Sequence, residues 1–462
     1  MNFRSAGEGP ALSAFSGLLA VHAHPDDETL STGGLLAAFA AAGRPVHVVT
    51  CTRGERGEVI ALPGTTSEGR AGLEGDRPAL GAYRETELAR ALTALAGGAD
   101  GAIRHSFLDA LPAVYEQVNG VVGADLGAST GPGPAVVSGS VDGVRYEDSG
   151  MAWVAPGVAG PAPDSPPTAF ARVPLDESAG RLAALIREIR PAVVATYEPG
   201  GGYGHPDHVR THEVTVRALR LAADPTWAPG SGVGAERDGG VGRRLAEPVR
   251  GGEHGSGVGR RLAEPVRGGE HGSGVGRRLA EPVRGGEHGS GVGRRLAEPV
   301  RGGEHGSGVG RRGEPWAGAE LWQAVAPAAE VRAARATLAA LPEVQALVAA
   351  HALTLPDPAE DLPPFAKEDL PEWSAEGQVV GSSDYRSPDG LPITRIGSAA
   401  WVDVRGVLRR VVAAMRAHAT QVQHADVLPE TVGAIAGWYA LSNGVLAPIL
   451  TTETYAVADP LR

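Results

Sequence analysis

The chain of 462 residues has a single cysteine, Cys51, so no internal disulfide framework holds it together. Cys51 lies in Pro45-Val46-His47-Val48-Val49-Thr50-Cys51-Thr52, an apolar strand pattern, and reads as a small core residue rather than a reactive thiol. Long apolar runs are also missing. No segment reaches the roughly 18 uninterrupted apolar residues of a membrane span, and Met1 to Ser16 has no run suited to a signal peptide. The expectation is a soluble, cytoplasmic protein without a membrane partner. Basic excess is absent too: 42 Lys and Arg against 54 Asp and Glu leave a net charge of -12, which argues against a nucleic-acid partner.

What the chain does have is Ala, Gly, Val and Leu at moderate charge, suited to an α/β enzyme, and one long repetitive tract. From Gly240 to Ser307 a unit of period 17, Gly-Val-Gly-Arg-Arg-Leu-Ala-Glu-Pro-Val-Arg-Gly-Gly-Glu-His-Gly-Ser, repeats four times, with a truncated copy ending at Arg312. Each unit has too few apolar side chains among its glycines to offset backbone ordering, so disorder is expected. Its histidines (His254, His271, His288, His305) have no rigid scaffold for chelation. An Arg/Gly-tract interaction protein is the reading this feature suggests, and the acidic net charge disfavours it. The expected organisation is 1–228 and 316–462 as two parts of one domain, with the repeats at 229–315 inserted between them.

The chain is organised around two histidine turns. Ser16 to Val21 reads as a buried strand and roughly Thr29 to Ala42 as a helix closed by Gly43. Between them lies His22-Ala23-His24-Pro25-Asp26-Asp27-Glu28. A second strand spans Pro45 to Thr52, so the segment is a βαβ unit. Further helices are expected over Tyr83 to Leu95, Asp176 to Ile189 with Asp176 as a cap, Pro206 to Ala222, 328–341, and Val407 to Val422. Ala192 to Tyr197 reads as a strand, as do Gln378 to Val380 and Thr394 to Val404, whereas 61–80 and 109–147 read as loop. The second turn, Gly200-Gly201-Gly202-Tyr203-Gly204-His205-Pro206-Asp207-His208, follows the strand ending at Tyr197. The predicted fold is a Rossmann-like α/β domain, a mostly parallel sheet flanked by helices. Its metal site is expected at the carboxyl edge of the strands, where open parallel sheets bind ligands.

His24, Asp27 and His208 form an N/O/N set, and three protein ligands with an open position point to a catalytic zinc. Asp26 is placed as general base toward an acidified water. His205 is placed as proton donor to a leaving amine or a developing oxyanion, and Tyr203 adds a hydrogen bond to the same oxygen. The competing account is turn chemistry, with Asp26 a helix cap and each His-Pro-Asp a simple bend.

The pairing of His24-Pro25-Asp26-Asp27-Glu28 with Gly204-His205-Pro206-Asp207-His208 resembles the LmbE-like/PIG-L zinc-dependent N-deacetylase superfamily. Also similar are Cys51 to Ile60, Tyr83-Arg84, Asp148-Ser149-Gly150-Met151, His418 to Val422 and Leu441-Ser442-Asn443. These stretches look most like the branch that deacetylates 1-D-myo-inositol 2-acetamido-2-deoxy-α-D-glucopyranoside in mycothiol biosynthesis. The resemblance implies a metal-dependent amidohydrolase with one Zn2+ (or Fe2+) per chain on His24, Asp27 and His208, and catalysis by Asp26, His205 and Tyr203. It also implies substrate contacts from Arg84, Asp148 and Glu58 to a small pseudo-disaccharide. Departures are the repeats and a long segment from Leu111 to Val144. The alternative activity is that of the mycothiol S-conjugate amidase, and the alternative of another class is a non-catalytic sugar-binding protein, which an intact Asp26 disfavours. Oligomeric state is open.

Overall fold

The computed structural model describes residues 17–99, 101–112, 145–155, 158–229, 313–370 and 391–461. Met1 to Ser16, the repeats, residues 113–144 of the long segment and the strand expected at Gln378 to Val380 lie outside the described residues. The first half contains β1 (Leu18–His22), α1 (Asp27–Ala41), β2 (Val46–Thr50), α2 (Arg77–Leu95), β3 (Ile103–Phe107), β4 (Met151–Ala155), β5 (Val158–Pro161), α3 (Leu175–Ile189), β6 (Val193–Tyr197), the single turn α4 (Gly201–Gly204) and α5 (Pro206–Ala223). The second half adds β7 (Glu320–Pro327), α6 (Ala328–Ala340), α7 (Pro342–Ala350), β8 (Ala366–Lys367), β9 (Ile393–Ile396), β10 (Ala399–Asp403), α8 (Leu408–Ala417), β11 (Gln423–Val432), β12 (Ile435–Ala440), β13 (Leu446–Leu450) and β14 (Thr452–Ala458).

The main sheet has the order β3-β2-β1-β6-β7-β14-β10-β9, with β8 beside β7. From β3 to β7 the strands are parallel, and β14, β10 and β9 extend the sheet antiparallel. The α/β expectation holds, and strands from both sides of the repeat tract pair directly, β6 with β7. Alternation along each strand separates two cores. Leu18 and Ala20 of β1, Val46 and Val48 of β2 and Val193 and Ala195 of β6 face α1, α2 and α8. Leu19, Val21, Val49 and Val194 face α3 and α5. Burying each of these Leu and Val side chains contributes about 1.5–3 kcal/mol, so both faces of β1 hold the turn that follows it. A smaller core joins α6 and α7 to the sheet β11-β12-β13.

Four local expectations are corrected. Helix α2 starts at Arg77, inside the expected 61–80 loop, because Asp76 accepts the Ala79 amide at 3.2 Å and a proline occupies the first turn. Asp176 does not cap α3: Pro174 holds that position, and Asp176 pairs with Arg217. Helix α8 ends at Ala417 rather than continuing to Val422, because His418 and Thr420 turn inward to buried carboxylates. The strand expected over Thr394 to Val404 is a hairpin, β9 and β10, broken at Gly397, which has φ +58°.

Candidate metal centre and active site

Strands β1 and β6 are neighbours, yet the sheet runs on from β1 to β2 and β3 in one direction and from β6 to β7 in the other. This reversal opens a crevice beyond the carboxyl ends of the two strands. His24 leaves β1 there, and His205 and His208 leave β6 there.

Asp27 Oδ2 is the meeting point. It accepts the His24 amide at 2.9 Å and lies 3.2 Å from His24 Nδ1. His208 Nε2 reaches the same oxygen at 3.3 Å. The outward nitrogens are held from behind: His208 Nδ1 lies 3.2 Å from the Gly201 carbonyl, and His24 Nε2 lies 3.3 Å from Asp207 Oδ2. A carbonyl only accepts, so His208 carries its proton on Nδ1 and turns the Nε2 lone pair inward. That Nε2 atom is buried and has no hydrogen-bond partner among the described residues. The carboxylate behind His24 favours the same inward lone pair on Nδ1. Tyr197 stacks on His208 with ring centroids 4.2 Å apart and planes 9° from parallel, and its hydroxyl accepts the Ala23 amide at 2.9 Å.

Two imidazole lone pairs and a carboxylate oxygen fit a divalent cation. The His24, Asp27 and His208 set converges through Asp27 Oδ2, whereas two other trios, His24, His205 and His208, and His24, Asp148 and Asp207, gather their donor atoms within 4.8 Å of one another. Those residues have other commitments. His205 Nδ1 accepts the Asp207 amide at 3.1 Å, Asp207 accepts the Ser149 amide at 2.8 Å and the Ser149 hydroxyl, and Asp148 accepts the Gly150 amide at 2.8 Å. Charge agrees with a cation site. Burial alone would lower the His24 imidazole, but Asp148, Asp207 and Asp27 outweigh it and raise it well above the usual range. Burial alone would raise Asp27, but His208 and His24 hold it well below.

Asp26 occupies the N-cap position of α1 with φ 105° and ψ -35°, and its side chain makes no capping bond. A non-glycine residue enters that region at a cost of about 1–3 kcal/mol, which its surroundings must offset. Asp26 N–H donates to Glu28 Oε2 at 3.0 Å, and the Asp26 carbonyl accepts the Thr29 and Leu30 amides, each at 3.0 Å. Arg84 donates to the Pro25 carbonyl, to the Gly54 carbonyl at 2.6 Å and to Asp26 Oδ1 at 3.0 Å. Gly54 is required for this: its φ is +62°, and a Cβ there would lie 2.1 Å from Arg84 Nη1. Burial pushes the Asp26 carboxyl up to about 6 against the pull of Arg84, a value suited to proton transfer near neutrality.

His205 caps α5 through Nδ1. Burial, with His24 and His208 beside it, lowers its pKa well below the usual range, so the ring is neutral with its proton on Nε2. The Tyr203 ring lies 5.0 Å from that of His208 and 6.2 Å from that of His205, and burial raises its phenol well above the ordinary range. The expected catalytic and ligand residues therefore share one crevice.

The three residues expected to touch substrate separate. Arg84 is buried and bonded to the chain's own Asp26 turn. Asp148 is buried behind His24, 3.7 Å from its Nε2. Glu58 is exposed, and its carbonyl accepts Gln421 Nε2 at 2.9 Å. Residues absent from the expected site are Asp207, Ser149, Tyr197, Glu28 and His418. Asp207 was within reach, since an imidazole ligand needs an acceptor behind it and Asp207 lies between the two histidines of the second turn. His418 has no local signal, because its partner is 390 positions away.

Residues 19–219 match the family described as PIG-L, GlcNAc-PI de-N-acetylase. A relative from Kineococcus radiotolerans named 1D-myo-inositol 2-acetamido-2-deoxy-alpha-D-glucopyranoside deacetylase is 45% identical over 206 residues, covering 45% of this chain and 45% of that protein. One of the same name from Streptomyces avermitilis is 41% identical over 233 residues, covering 50% of this chain and 62% of that protein. The chain thus spans about half the length of the curated relatives it matches. Among solved structures, an N,N'-diacetylchitobiose deacetylase from Pyrococcus horikoshii aligns at a TM-score of 0.27 and 19% identity, over 46% of this chain and 53% of that one.

Proposed function

We propose that this chain, whose residues 19–219 match the PIG-L family, is a metal-dependent amidohydrolase. Its reaction is removal of the N-acetyl group of 1-D-myo-inositol 2-acetamido-2-deoxy-α-D-glucopyranoside, giving glucosaminyl-inositol and acetate. The observation that carries this reading is the buried Nε2 of His208, 3.3 Å from Asp27 Oδ2 and beside the His24 imidazole. The relatives' shared name supplies the substrate.

In this reading His24, Asp27 and His208 hold one Zn2+, with Fe2+ acceptable to the same donors. When bound, the cation supplies Lewis acidity and lowers the pKa of water toward neutrality. Asp26 takes the proton of the attacking water on a carboxylate oxygen and returns it to the departing amine nitrogen. Arg84 and the Glu28 carboxylate hold Asp26 in its turn during both transfers. His205, neutral and protonated on Nε2, donates to the oxyanion that develops from the acetyl oxygen, and Tyr203 assists. Asp148 and Glu58 border the sugar and inositol hydroxyls. Residues 1–228 and 316–462 act as one catalytic domain, with the repeats at 229–315 inserted in it. No helix among the described residues is long and apolar enough to cross a membrane, and we read the protein as cytoplasmic.

The test is release of free amine from the acetylated pseudo-disaccharide by the zinc-loaded chain, run in parallel on a mycothiol S-conjugate, with Asp26→Ala as control. Metal-dependent turnover of the first substrate, lost in the control, is the expected result. Preference for the conjugate reassigns the chain to the amidase, and metal binding without turnover of either makes it a binder.

A further inference from the structure

We propose that His418 is a positioning residue for the reaction: through Glu28 it holds the Asp26 backbone in its left-handed turn. His418 Nε2 lies 2.8 Å from Glu28 Oε1, and both side chains are fully buried. The Thr29 hydroxyl donates to the same oxygen at 2.5 Å. The other oxygen, Oε2, accepts the Asp26 N–H at 3.0 Å. One carboxylate therefore joins His418 on one side to the main chain of the proton-transfer residue on the other. Asp26 has φ 105°, a conformation that relaxes when its restraints are removed. If His418 releases Oε1, that oxygen keeps only the Thr29 hydroxyl, the Glu28 side chain shifts, the Asp26 N–H loses its fixed acceptor, and the Asp26 carboxylate moves relative to Arg84 and the cation site.

His418 is itself held on a tied strap. The Thr420 amide and hydroxyl donate to the buried Glu87 at 2.9 and 2.6 Å, and the Ile60 amide donates to the Thr420 carbonyl at 2.9 Å. Gln421 Nε2 donates to the Glu58 carbonyl at 2.9 Å. These bonds fasten residues 418–421 to α2 and to the loop that carries Gly54, the second support of Arg84. They also explain why α8 stops at Ala417. A segment beyond residue 219, where the family match ends, thus braces the turn that carries Asp26.

The activity arm of the test rests on the de-N-acetylase reading, and the exchange arm does not. In the full zinc-loaded chain, His418→Gln keeps an N–H at the reach of Nε2, whereas His418→Asn keeps polarity and withdraws that N–H from Glu28. His418→Asn is expected to lose on the order of 100-fold in kcat, the effect of misplacing a catalytic group by about 1 Å, with KM nearly unchanged, and His418→Gln to recover most of it. Hydrogen exchange at the Asp26 amide, read without substrate, is expected to be faster in His418→Asn than in His418→Gln or the parent. Equal kcat in the two variants, or equal exchange, overturns the proposal. If His418→Asn does not fold, Glu28→Asp replaces it, because the shorter carboxylate cannot span both partners; parental kcat and exchange there overturn the proposal. A parent inactive on the substrate defeats the de-N-acetylase reading alone, and the exchange comparison still decides the role of His418.

Discussion

Asp207 Oδ2 lies 3.3 Å from His24 Nε2, so the carboxylate of the second histidine turn stands directly behind the imidazole of the first. Asp207 is fully buried and is oriented by the Ser149 amide and hydroxyl. It sets which nitrogen of His24 carries the proton. Asp207→Asn is expected to weaken zinc binding by about 10–100-fold, the usual effect of removing such a partner. Competition against a chromogenic chelator measures it, and parental affinity would show that Asp207 does not orient His24.

Arg84 separates two roles by its kinetics. Its guanidinium is buried and bonded to the Pro25 and Gly54 carbonyls and to Asp26. Arg84→Ala is therefore expected to lower kcat by on the order of 100-fold through displacement of Asp26, with little change in KM. A rise in KM at constant kcat would restore the substrate-contact role that the family resemblance implies.

Gly34 lies in α1 beyond Thr32, whose φ of -141° breaks the helix. The second half of α1 is capped by Glu453 of β14, which accepts the Gly34 amide at 2.6 Å and the Leu35 amide at 2.9 Å. A Cβ on Gly34 would lie 2.3 Å from Val404 Cγ1 and 2.8 Å from Glu453 Oε1. Gly34→Ala is expected to destabilise the fold by about 1–3 kcal/mol through overpacking, read as a lower urea midpoint. An unchanged midpoint would mean that Val404 and Glu453 yield at no cost.

His105 makes stability fall in mild acid. Burial pushes its imidazole down to about 3, and its Nε2 contacts Thr50 Oγ1 at 3.0 Å. In the unfolded chain the same ring titrates near 6.5. Below that pH the unfolded state binds a proton that the folded state refuses, so stability is lost as pH falls from about 6.5 toward 3. His105→Gln removes this loss. The drop in unfolding free energy between pH 7 and pH 5 is expected to shrink by about 2 kcal/mol, and an equal drop in both proteins would place the acid sensitivity elsewhere.

The order of α/β elements and the two histidine turns were legible because their signals are local. Apolar runs such as Val46 to Thr50 bury on both faces of a sheet wherever the sheet forms, and His24, Asp27, His205 and His208 lie in the short segments that carry a strand into the first turn of the next long helix. Even so, the start of α2 at Arg77 and the end of α8 at Ala417 were misread. The first depends on an Asp76 cap in a glycine-rich stretch, and the second on buried carboxylates supplied from elsewhere.

The sequence by itself determined which donor atoms are available, and that they leave strands at one sheet edge, since residue type and periodicity are properties of neighbours along the chain. Only the tertiary structure decided which nitrogen of each imidazole faces inward, that Arg84 grips the Asp26 turn, and that His418 reaches Glu28 across 390 positions. Those choices depend on hydrogen-bond partners brought close by strand order and core packing, and a buried polar group takes its partner from space, not from sequence.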